Sequence, residues 1–72
     1  MNHYQMQLKM QYEVRVVEML LLDFTQLQVC DFIKSYGRYM ESQWKRGQSP
    51  YETARFILNQ NYHLLSAYEY VK

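Results

Sequence analysis

The chain has 72 residues, a net charge of +1, 49 % hydrophobic and 17 % aromatic content, and one cysteine, Cys30. A length like this supports one small domain over 1–72, and it buries only about 60 % of its unfolded surface, so the core needs a helper. The lone cysteine excludes an intrachain disulfide and a Cys-rich zinc site, and the balanced charge supplies no long-range pull toward nucleic acid or membranes. Self-association is the helper that remains.

Residues 3 to 16 alternate polar and apolar at every position. The polar set is His3, Gln5, Gln7, Lys9, Gln11, Glu13 and Arg15; the apolar set is Tyr4, Met6, Leu8, Met10, Tyr12, Val14 and Val16. A period of two is the pattern of a half-buried strand, yet Met, Gln, Leu, Lys, Glu and Arg are good helix formers. Asn2 to Gln5 matches a capping box, weakly, with Met1 and Met6 as its staple pair. Nothing between residues 3 and 23 is Gly, Pro or Asn, so the segment lacks turn material for a hairpin. These features predict a helix over about 3–22 with two apolar stripes. One is Met6, Met10, Val14, Val17, Leu21 and Phe24; the other is Tyr4, Leu8, Tyr12, Val16 and Met19. Tyr12, Val14, Val16 and Val17 favour the alternative, a strand over 4–16. A lone strand has no partner in its own chain, so the alternative is an α+β protein in which that strand pairs between subunits ahead of two helices.

Thr25-Gln26-Leu27-Gln28 is a second capping box, with Phe24 and Val29 placed as a hydrophobic staple. The apolar stripe Val29, Phe32, Ile33, Tyr36, Met40 and Trp44 predicts a helix over about 26–46. Lys45 and Arg46 complement the dipole at its end, and Gly47 suits the left-handed stop position. Gly37, inside this helix, costs roughly 1 kcal/mol against alanine and is expected to mark a close helix–helix approach.

Ser49-Pro50-Tyr51-Glu52 joins a capping serine, a proline at the first helical position and a glutamate three residues on. Tyr51, Ala54, Ile57, Leu58, Asn61, Leu65 and Tyr68 lie along one face, which predicts a third helix over about 50–71. The expected fold is all-α, with three helices. The second and third form an antiparallel hairpin and the first lies across them.

Trp44 to Tyr51, with Arg55 one turn on, concentrates aromatic, basic and turn residues. It can serve as a recognition corner, with Arg46 and Arg55 pairing to a phosphate or carboxylate at a helix start. The plainer account is a well-capped turn with a core tryptophan. Lys34, Arg38 and Lys45 fall near one line and could meet phosphates, but Asp31 and Glu41 interrupt it as a solvated helix face would. The eight tyrosines are too many for so small a core. Tyr36, Tyr39, Tyr51, Tyr62, Tyr68 and Tyr70 cannot all be buried, and large amphipathic rings are enriched at protein interfaces. His3 and His63 are far apart, Cys30 has no nearby base, and no Gly-rich phosphate loop is present. No enzyme activity, metal or cofactor is expected.

The expected function is therefore binding, by an adaptor, inhibitor or regulatory subunit acting through self-association, most simply a homodimer, or through occlusion of another protein. Tyr4, Leu8, Tyr12 and Val16 are its expected contact stripe, with Trp44 and Tyr51 beside it. The alternative is a dimeric nucleic-acid-binding regulator using Lys9 and Arg15, or Lys34, Arg38, Lys45 and Arg46. The longest wholly apolar run, residues 19–22, is too short to cross a bilayer. The N-terminus shows no secretion signal, so a cytoplasmic protein with a reduced thiol is expected.

Overall fold

In a computed structural model, which describes residues 2–65, the chain is all-α. Helix α1 runs His3–Leu20, α2 Gln26–Lys45 and α3 Pro50–Gln60. No strand is found among the described residues, so the period-two alternation of 3–16 lies on a helix.

Local chemistry explains where the helices begin. Asn2 Oδ1 accepts from the Gln5 N–H at 2.8 Å, and the Gln5 side chain accepts from the Asn2 N–H at 3.4 Å. Thr25 and Gln28 make the same reciprocal pair. Each satisfies two backbone donors that a helix start would otherwise leave open. At α3 only one arm forms: Ser49 Oγ accepts from the Glu52 N–H at 3.2 Å, with Pro50 at the first helical position. The plainest capping pattern in the sequence is thus the least complete cap.

Helix α2 ends in a Schellman motif. Gly47 adopts φ +80°, its N–H donates to the Trp44 carbonyl, and the Gln48 N–H donates to the Gln43 carbonyl.

The expectation of three helices over 3–22, 26–46 and 50–71 is corrected at the C-terminal end. Helix α3 stops at Gln60 and a further helical segment starts at Tyr62, so there are more than three helical segments among the described residues. Asn61 is the physical cause. Its side-chain amide donates to the Ile57 carbonyl at 2.8 Å, taking the acceptor that its own N–H would use in a continuing helix. That N–H turns to the Leu58 carbonyl instead, at 3.0 Å. The part of the expected third helix beyond residue 65, with Tyr68 and Tyr70, lies outside the described residues, as does Met1 of the expected staple.

Contacts fix the directions of the helices. Lys9 near the start of α1 meets Glu41 near the end of α2 at 3.3 Å, so these two run antiparallel. Tyr39 stacks on Phe56, and Tyr36 accepts from Asn61 at 3.1 Å, so α2 and α3 also run antiparallel. Helices α1 and α3 are therefore parallel, and α1 packs more extensively on α3 than α2 does. The second and third helices, expected as an antiparallel hairpin with the first lying across them, do run antiparallel, but α1 packs alongside α3 more extensively than α2 does.

One core joins the three helices: Tyr12, Val16, Leu20, Phe24, Val29, Phe32, Met40, Ala54 and Ile57. Burying side chains the size of Val16, Leu20 and Ile57 contributes about 1.5–3 kcal/mol each. The aromatic series Phe24, Phe32, Tyr36, Tyr39 and Phe56 runs edge to face along α2 and ends on the stacked Tyr39–Phe56 pair. Gly37 does not mark a close approach, because a Cβ built there would meet nothing within 4 Å.

Candidate interaction face on the first helix

Helix α1 exposes more large apolar side chains than it buries. Tyr12, Val16 and Leu20 point inward, whereas Tyr4, Met6, Leu8, Met10 and Val14 are exposed. Met10 and Val14 are 61 % and 53 % exposed. A shallow groove on this outward side is lined by Gln7, Met10, Gln11, Val14, Arg15 and Glu18, all from α1.

This corrects the expected contact stripe. Tyr12 and Val16 are 8 % and 0 % exposed and belong to the core, so only Tyr4 and Leu8 of that stripe are accessible. The four-residue ladder Tyr12, Val16, Leu20 and Phe24, all buried, carried the signal: a ladder leading straight into the next helix's staple faces the interior. The stripe of Met6, Met10 and Val14 is the one left open.

Tyr12 is buried with its hydroxyl satisfied. It bonds to the Thr53 hydroxyl and donates to the Ser49 carbonyl at 3.3 Å, tying the middle of α1 to the start of α3. Thr53 is the one buried polar residue among those described, and no buried side-chain nitrogen or oxygen there lacks a partner.

The recognition corner comes apart. Trp44 packs against the core as a half-buried ring, while Tyr51 is exposed and accepts from Arg55 at 2.9 Å. The start of α3 is occupied by the Ser49 hydroxyl and carries Glu52 in its first turn, whose charge opposes an incoming anion. Lys34, Arg38, Lys45, Arg46 and Arg55 are all exposed, four near or on α2 and one on α3. Lys9, on α1, is held by Glu13 at 3.9 Å and by Glu41 at 3.3 Å. Burial raises the Tyr39 hydroxyl pKa above its ordinary value near 10; Tyr12 adds to that and Arg46 opposes it.

Of the remaining tyrosines, Tyr4, Tyr51 and Tyr62 are exposed and Tyr36 and Tyr39 half-buried. Among the described residues no group of three or more His, Cys, Asp or Glu is placed to hold a metal, and no helix is long and apolar enough to cross a membrane. No family model matches this chain, and comparison with curated proteins and with solved structures found no match. Among the described residues the fold is a small all-α bundle whose first helix leaves an apolar face open.

Proposed function

We propose that the chain is a small, non-catalytic protein-binding module, an adaptor, inhibitor or regulatory subunit whose working surface is the outward face of α1. One observation carries this reading: Met6, Met10 and Val14 of α1 are all exposed on the side away from its buried Tyr12, Val16 and Leu20. Association through such a face removes apolar area from water without unfolding the core beneath it. Cys30 is an exposed free thiol, which suits a reducing compartment, and we assign the protein to the cytoplasm.

A photo-crosslinking amino acid tests the face directly. Placed at Val14 in cells that make the protein, it is expected to yield a discrete covalent adduct. Placed at the exposed Asp31 on α2, it is expected to yield none. No adduct at Val14, or equal labelling from both positions, would end this reading.

A further inference from the structure

The occupant of the α1 face can be read from its spacing and charge. Gln7, Met10, Val14, Val17 and Leu21 recur at alternating intervals of three and four residues, the repeat of a two-stranded helical seam. Met10 and Val14 are exposed on α1 and Leu21 is exposed at its C-cap, while Val17, half-buried, packs on the core at the edge of this seam. A chain with net charge +1 meets its own copy without strong repulsion.

Direction follows from the charges beside the seam. In a parallel pair, Glu13 of one copy would flank Glu18 of the other, twice, and like charges there are unfavourable. In an antiparallel pair that sets Val14 against Val17 of the second copy, Met10 meets Leu21 and Glu18 falls between Gln11 and Arg15 of the other copy. The only cation on the outward groove then meets its only anion. We infer that α1 pairs with α1 of a second copy of this chain, antiparallel, about a two-fold axis between residues 15 and 16. The inference rests on the proposed binding role of this face and specifies its partner.

Two measurements on the purified full chain test it. Light scattering is expected to give twice the monomer mass, falling to monomer mass in Val14→Glu with the circular dichroism spectrum unchanged, since Val14 is outside the core. Arg15→Glu is expected to raise the dissociation constant about tenfold, from two lost surface pairs now replaced by repulsion, and Arg15→Glu with Glu18→Arg to restore it. Spin labels at His3→Cys, in a Cys30→Ser background, are expected roughly 35–40 Å apart at 1.5 Å rise per residue. A label separation of about 10 Å, the spacing of adjacent parallel helices, would overturn the antiparallel arrangement. A purified chain that stays monomeric at millimolar concentration would overturn self-pairing altogether. In that case a Val14 adduct to another protein in cells leaves the binding role standing, so the two failures are distinct.

Discussion

Tyr12 concentrates the energetics of the core at one hydroxyl. Its ring fills the space between α1 and α3, and its oxygen meets Thr53, which is 1 % exposed. Removing that oxygen leaves the Thr53 hydroxyl short of a partner in a place water does not reach. Tyr12→Phe should therefore cost about 1–2 kcal/mol, the penalty for an unsatisfied buried group. Thermal melts should show this as a drop of several degrees, since about 1 kcal/mol moves a domain of this size by 4–8 °C. Combining Tyr12→Phe with Thr53→Val removes both partners and should cost less than the two single changes together. Strict additivity in that cycle would mean the two hydroxyls do not interact. The pairing was not legible in the sequence: Tyr12 was expected at a surface, and nothing local links it to Thr53, 41 positions away.

At the scale of the element, the two glycines of the chain have opposite roles. Gly47 holds φ +80° at the end of α2, a conformation a side chain adopts only with strain. Gly37 sits inside α2 with open space where its Cβ would be, so nothing in the fold requires it. Gly37→Ala should raise stability by about 0.5–1 kcal/mol through helix propensity, and Gly47→Ala should lower it by a similar amount or more. Urea unfolding of the two variants checks both signs. A stabilised Gly47→Ala or a destabilised Gly37→Ala would contradict these assignments. Start and stop signals were legible because they are local: a Ser, Thr or Asn side chain needs only a backbone N–H three residues on. The break at Asn61 was missed for a related reason. Its spacing suits the apolar face of a continuing helix, and only its bonds to Ile57 and Tyr36 show that the side chain turns back to cap its own helix.

On the scale of the molecule, α2 and α3 cover one side of α1 and leave the other open. If the open side is closed by a second copy, folding and association are linked, and the melting temperature must depend on protein concentration. The wild-type chain should melt several degrees higher when concentrated a hundredfold, whereas Met10→Lys should melt at one temperature throughout. A concentration-independent wild type would show that the face contributes nothing to self-assembly. Met10 suits this comparison because, at 61 % exposed, it can be replaced without opening the core.

What the sequence determined by itself is the placement of the caps and the surplus of apolar surface on the first segment; it left a helix and a strand open for residues 4–16. Those properties depend on residues three or four apart, which the chain order already brings together. Tertiary structure alone decided which stripe of α1 faces inward and that α1 pairs with α3. Two stripes of similar composition compete for one interior, and the choice depends on shapes supplied by distant residues: the Thr53 hydroxyl and the buried Ala54 and Ile57 side chains on α3. Burying Tyr12, Val16 and Leu20 against that surface left Met6, Met10 and Val14 in water.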